Sequence, residues 1–174
     1  MANTFIKIAS VTVGSGGAAN IQFTSIPGTY TDLKLVHCTR TNRSVFVEAI
    51  YLEFNGSGGT AYSDRLLFGT GAAALSNNSS SQANINNVGI TAGNTATANT
   101  FGNGEIYIPN YTGSQNKSTS ADATGENNAT DSYMYFNAGL WANSAAITQI
   151  KLVPVNGNNF LQYSTATLYG IKSS

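Results

Sequence analysis

The residues of this sequence that could do chemistry are few, and the first pair to consider is His37–Cys38. They are the only histidine and the only cysteine among 174 residues. A nucleophilic Cys–His pair requires the two side chains to face each other. Both residues lie in a predicted β-strand, where adjacent side chains point to opposite faces, so we favour a structural role for each. A zinc site would have to rely on carboxylates, which we do not expect.

Two glycine-rich segments, residues 14–19 and 69–74, superficially match a dinucleotide-binding pattern. That pattern binds a pyrophosphate only where a helix follows it. The first segment precedes an alternating strand around Ile21 and Phe23. The second leads into sequence rich in Ser and Asn, with no acidic residue where a ribose partner would lie. We predict that both segments are turns.

Three carboxylates, Asp122, Glu126 and Asp131, gather in one polar segment. Their oxygens could bind a hard cation, but the spacing does not match an EF-hand, and scattered surface carboxylates explain it as well. The carboxylate pair of a glycosidase depends on spatial distance, and no pair stands out in the sequence. We therefore predict no catalytic, cofactor-binding or metal-binding residue, and a protein that is not an enzyme.

Aromatic residues are a further candidate, because exposed rings beside Asn and Asp side chains suit sugar stacking. The alternative, which we favour, is that they fill a core or a subunit interface, where aromatics are enriched. The residues considered are Tyr51, Tyr62, Tyr107, Tyr111, Tyr133, Tyr135 and Trp141.

The composition is poor in charge and rich in neutral polar residues. Eight basic and eight acidic residues cancel and make up 9% of the chain, against about 25% in an average soluble domain. A neutral chain releases few phosphate counterions, so we expect no nucleic-acid partner. No apolar run approaches the ~20 residues that span a bilayer, and the opening lacks the features of a signal peptide. We expect synthesis in the cytoplasm and no membrane partner.

Short runs of β-branched and aromatic residues alternate with clusters of Gly, Asn and Ser, which predicts an all-β fold. We interpret the chain as a single domain, residues 1–174, folded as a jelly-roll-like antiparallel β-sandwich. A bulge is expected between Ile8 and Ala9, and Asn55–Gly56 predicts a hairpin. The predicted strands are residues 5–13, 21–24, 33–40, 45–54, 105–108, 133–141, 147–153 and 161–171. The predicted inward-facing residues include Ile21, Phe23, Leu33, Leu35, Ile106, Ile108, Leu152 and Leu168.

Residues 66–104 contain no charged side chain, and residues 75–100 are mostly Ser, Asn, Ala, Gly and Thr. This composition predicts a long polar loop inserted into the sandwich. Structureless loops beyond ~15 residues are uncommon in compact domains, so the alternative is an insertion ordered by neighbouring subunits. Ile85, Val88 and Ile90 could supply one more strand within it.

Seven segments carry strand and turn signatures that are familiar together: IASVTV (8–13), FTSIP (23–27), YTDL (30–33), EIYIPNY (105–111), GLW (139–141), residues 147–152 and QYSTATLYGI (162–171). These segments resemble a family of small virion structural proteins of tailed phages, of the cyanophage and marine-phage type. The resemblance spans nearly the whole chain except the stretch around residues 75–100. It rests on strand and turn signatures, so it carries over no active-site residue.

The resemblance implies a protein on the surface of the phage particle. Such a protein acts through the interface area that it buries against its partners and catalyses no reaction. We expect a capsid decoration or cement protein, a homotrimer that binds the major capsid protein on a symmetry axis. The alternative is a receptor-binding fibre or tail-tip domain that recognises a host glycan. Phe5 already begins a predicted strand, which leaves no room for an N-terminal stalk in this sequence and favours decoration.

Overall fold

The computed structural model describes residues 4–128 and 132–172, which form twelve β-strands. The strands are β1 (Phe5–Thr12), β2 (Ile21–Phe23), β3 (Asp32–Thr39), β4 (Val47–Phe54), β5 (Tyr62–Gly69), β6 (Ala74–Gln82), β7 (Ile85–Ala92), β8 (Gly102–Ile108), β9 (Lys117–Gly125), β10 (Tyr133–Trp141), β11 (Ile150–Pro154) and β12 (Thr165–Ile171). The described residues contain no α-helix, and one 3-10 turn follows β11 at Val155–Gly157. The predicted all-β class is confirmed.

The strands form two antiparallel sheets that pack face to face as a sandwich. The large sheet has the order β1-β12-β3-β8-β9-β10-β5-β6, and the small sheet has the order β2-β11-β4-β7. Four pairs nest inside one another along the chain: β1 with β12, β2 with β11, β3 with β8, and β4 with β7. The hairpins β5–β6 and β9–β10 are inserted into this scheme and pair with each other through β5 and β10.

The core lies between the two sheets and follows the two-residue alternation of the strands. Along β3, Leu33, Leu35 and His37 point inward, while Val36 and Cys38 face outward. All eight residues predicted to face inward are buried. The alternation in the sequence was therefore sufficient to place the core face of these strands.

Residues 66–104 do not form a long polar loop, and that prediction was wrong. They include most of β5, all of β6 and β7, and the start of β8. Strand β7 is the edge strand of the small sheet and buries Ile85, Val88 and Ile90, as the alternative of a further strand at these residues predicted. Strand β6 is exposed along almost its whole length and is held by its backbone ladder to β5, so its Ser and Asn side chains gave no apolar signal.

The hairpin predicted at Asn55–Gly56 is also wrong, although the turn itself forms. Both residues have positive φ, 54° and 61°, as a tight turn of that sequence requires. The chain then leaves the small sheet and enters the large one, because β4 pairs with β7 and β11 while β5 pairs with β10 and β6. The Asn55 side chain ties the turn to the segment before β11 by accepting hydrogen bonds from the backbone N–H groups of Thr148 (2.9 Å) and Gln149 (3.0 Å).

Other local predictions are confirmed. The register of β1 against β12 shifts between Lys7 and Ala9, which is the expected bulge. The glycine-rich segments are turns: Gly17 and Gly71 have positive φ, and no helix follows either. Strand β12 starts at Thr165, later than predicted, because Tyr163 has a φ of 71° that no strand residue adopts.

Candidate functional site

His37 and Cys38 lie on opposite faces of β3, so they do not form a nucleophilic pair. His37 is buried between Gly89 of the small sheet and Gly104 of the large sheet, where a Cβ on either glycine would come within 2.7 Å of Nε2. Desolvation lowers the pKa of His37 to about 4. Cys38 is exposed on the outer face, and partial burial raises the pKa of its thiol, so it favours the unreactive thiol form.

The carboxylates considered for a cation site do not converge. Asp122 lies on the outer face of the large sheet opposite Glu105, whereas Glu126 follows the end of β9 and accepts a hydrogen bond from the backbone N–H of Asn128 (2.6 Å). Asp122 and Glu126 are four positions apart along extended chain, which is about 13 Å. Asp131 lies outside the described residues. Within residues 4–128 and 132–172, no group of three or more His, Cys, Asp or Glu side chains could hold a metal ion.

The aromatic candidates differ in burial. Tyr62, Tyr111 and Trp141 are fully buried, and the rings of Tyr62 and Trp141 stack with centroids 6.1 Å apart. Tyr133 and Tyr135 are half-buried with Phe46 and Phe68. Burial raises the pKa of Tyr135 to about 12. Tyr51 is also half-buried, whereas Tyr107 is exposed on the outer face of the large sheet.

The candidate site is instead an exposed apolar patch on the outer face of the large sheet. We define the apolar patch as Leu67 of β5 with Met134 and Phe136 of β10, whose exposed fractions are 57%, 65% and 59%. Leu67 and Phe136 are cross-strand partners, so the side chains share one face. They line a shallow depression of about 210 Å³ together with Gly69 and Ala74.

Beside the apolar patch runs the edge of the large sheet, strand β6. No described residue pairs with the outer side of this strand. Its sequence, ALSNNSSSQ, has no charge and no proline, although exposed edges usually carry one of these to prevent pairing with another chain. The edge is therefore open to contact by a further polypeptide.

Comparison of the chain with family models, curated proteins and solved structures finds no match. No helix within the described residues is long and apolar enough to cross a membrane.

The apolar patch was not predicted, although the sequence contains a signal for it. In β10, Met134 and Phe136 alternate with Tyr133 and Tyr135, so the strand is apolar on both faces. A strand with one face in the core and the other in water carries polar residues on the second face. Apolar residues on both faces of β10 depart from this pattern and mark its outer face as unusual for a surface that lies in water.

Proposed function

We propose that this protein is a structural protein of a tailed-phage virion, a capsid decoration protein that binds and stabilises the head shell. The observation that carries the proposal is the exposed apolar patch beside an uncharged, unpaired edge strand. Large exposed apolar patches mark protein–protein contact surfaces. The resemblance of the strand and turn segments to phage virion proteins supports a location on the phage particle.

The strand pairing adds support from architecture. Without the two inserted hairpins, eight strands remain, and they pair first with last, second with seventh, third with sixth and fourth with fifth. We infer that this nested pairing is a jelly roll, an architecture found in viral capsid domains and in unrelated proteins. The architecture supports a role in the capsid by analogy with those domains.

The apolar patch is our proposed contact between copies in a homotrimer. A chain with 9% charged residues and no net charge has little repulsion to keep its copies apart. Three contacts to the major capsid protein, held in one ring, act at high effective concentration. Closed three-fold symmetry also matches a three-fold or local three-fold axis of an icosahedral shell.

Phe136→Lys tests the proposal, and Val36→Lys is its matched control. The four residues Phe136, Asp122, Glu105 and Val36 lie in one cross-strand row on the outer face. Each new lysine therefore stands beside a carboxylate, and the two sites are about 14 Å apart. The control changes an apolar outer-face residue outside the apolar patch.

The experiment adds purified protein to heads that lack it, then measures sedimentation and the temperature at which the heads rupture. Wild type and Val36→Lys are expected to sediment as trimers, bind heads and raise the rupture temperature. Phe136→Lys is expected to be monomeric and to leave heads unprotected. A wild-type protein that remains monomeric and does not bind heads would overturn the proposal.

A further inference from the structure

A cleft at one end of the sandwich, which shares no lining residue with the apolar patch, has the features of a ligand site. Its volume is about 520 Å³, within the range of about 300–1,000 Å³ that small-molecule sites occupy. It lies between the loop that precedes β12 and the loop between β7 and β8. Its lining includes Ser15, Asn94, Asn99, Phe101, Gln162 and Tyr163.

Tyr163 is the most exposed large apolar side chain of the described residues, with 68% of its surface accessible. Its backbone has a φ of 71°, a left-handed conformation that is unusual and strained for a bulky residue. The backbone is nevertheless fixed there: the Tyr163 N–H donates to the carbonyl of Val13 (3.0 Å). The fold thus places an exposed aromatic ring in the cleft, and the left-handed backbone of Tyr163 makes this placement energetically unfavourable.

Arg40 holds both walls of the cleft in place. Its backbone N–H donates to Ser164 Oγ (3.0 Å), and its carbonyl accepts from the N–H of Leu161 (2.7 Å), which fixes the loop that carries Tyr163. Its guanidinium donates to the carbonyls of Thr97 (2.9 Å) and Thr100 (2.8 Å) in the opposite loop. One buried residue therefore preorganises the cleft before any ligand arrives.

The chemistry of the lining selects a neutral ligand. Arg40 is the one charged residue among those that line the cleft, and its guanidinium is occupied by loop carbonyls. An anion therefore finds no free cation there, and a cation finds no carboxylate. The exposed polar groups are side-chain amides of Asn94, Asn99 and Gln162, which both donate and accept hydrogen bonds.

We propose that this cleft binds a neutral oligosaccharide. Sugar hydroxyls donate and accept hydrogen bonds, as the amides do, and the weakly positive C–H faces of pyranose rings pack on the negative face of an aromatic ring. Tyr163 supplies that face, while the amides and the Ser15 hydroxyl supply the polar partners. A proline-rich peptide would need parallel aromatic ridges, and here a single ring stands free while Phe101 is half-buried.

Saturation-transfer NMR with soluble probes tests the proposal. The neutral probes are maltohexaose, cellohexaose, mannohexaose and a galactan hexamer; the comparison probes are an oligogalacturonate, a chitosan hexamer and a proline-rich decapeptide. Wild-type protein is expected to bind at least one neutral hexamer at millimolar concentration, in preference to the charged probes and the peptide. Binding of none of the neutral hexamers, or a preference for a charged probe or the peptide, would overturn the proposal.

Variants at Tyr163 locate the binding. Tyr163→Gly removes the ring and relieves the left-handed strain, so it should weaken binding by about tenfold or more while the melting temperature stays equal or rises. Tyr163→Phe keeps the ring and should bind like wild type, as should the control Tyr107→Ala, a surface tyrosine on the outer face of the large sheet. Equal binding by wild type and Tyr163→Gly would refute the site.

The inference is independent of the proposed assembly role. Phe136→Lys, expected to be monomeric, leaves the cleft intact and should bind the same hexamer as wild type. Loss of assembly with retained sugar binding, or the reverse, separates failure of one proposal from failure of the other.

Discussion

Acidification should destabilise this protein through a single residue, His37. The imidazole is completely buried, its Nε2 has no hydrogen-bond partner, and its Nδ1 lies 3.4 Å from Thr39 Oγ1. The slot is formed by Gly89 and Gly104, so the ring cannot reach water without displacing a sheet. Protonation inside the fold is therefore opposed by desolvation, which lowers the pKa from 6.5 to about 4.

The sign and size of the effect follow from the two pKa values. Above pH 6.5 the imidazole is neutral in both states, and the full stability is present. Below pH 6.5 the imidazole of the unfolded chain becomes protonated, whereas the imidazole of the folded chain stays neutral until the pH approaches 4. Stability therefore falls by up to about 1.4 kcal/mol per pH unit across this window, which amounts to about 2 kcal/mol between pH 7 and pH 5.

The assay is urea unfolding of wild type and His37→Asn at pH 7 and pH 5. Asparagine is smaller and does not titrate, and its amide can replace Nδ1 as a partner of Thr39. Burial raises the pKa of Glu48, which acts in the opposite direction on acidification, but this contribution is common to both proteins and cancels in the comparison. Wild type should lose about 2 kcal/mol more than His37→Asn. Equal losses would refute the argument that this imidazole stays neutral when folded.

Three further outcomes are expected. Ile106→Ala, in the centre of the core, should lower the free energy of unfolding by about 2–5 kcal/mol in chemical denaturation, whereas outward-facing Val36→Ala should change it by less than about 0.5 kcal/mol; similar small effects at both would mean that the core face is wrongly assigned. Gly104→Ala should abolish the cooperative thermal transition, because its Cβ would meet the buried imidazole at 2.7 Å and backbone at 2.8 Å, while Gly14→Ala, with open space around it, should melt like wild type. Arg40→Gln removes the guanidinium from the carbonyls of residues 96–100 and should speed hydrogen exchange in that loop; unchanged exchange there would show that the loop is held by other contacts.

The sequence predicted those strands whose bulky side chains form a clear pattern, and it missed strands whose side chains are small or polar. Strand β3 carries bulky residues with a period of two, and β10 begins with four bulky residues in succession, so the positions of both were predicted closely. Strand β8 was predicted only from residue 105, because its first three residues are Gly, Asn and Gly. Strand β9 was missed because its inward positions are small or polar: Thr119, Ala121 and Ala123. Small residues suffice there because β7 packs closely against the inner face of the large sheet.

The candidate surfaces were harder to predict than the core. The apolar patch joins Leu67 to Phe136, which are far apart in sequence and adjacent only because the two inserted hairpins pair. The cleft depends on the left-handed backbone of Tyr163. Residues 161–171 were predicted as one continuous strand, and that prediction did not indicate a left-handed residue. Both surfaces arise from contacts between distant segments, and the local pattern of β10 indicates an unusual outer face without showing which strand lies beside it.

The position of β12 determines when the large sheet can be completed. Strand β12 lies between β1 and β3, so β1 has no partner in the large sheet until residues 165–171 have emerged from the ribosome. Pairing between strands that are far apart in sequence is intrinsically slow. Until it occurs, β1 and β3 each have an unpaired edge. A nascent chain stalled before residue 165 is therefore expected to stay sensitive to protease and to depend on chaperones, and release of β12 should convert it to a resistant state in one step.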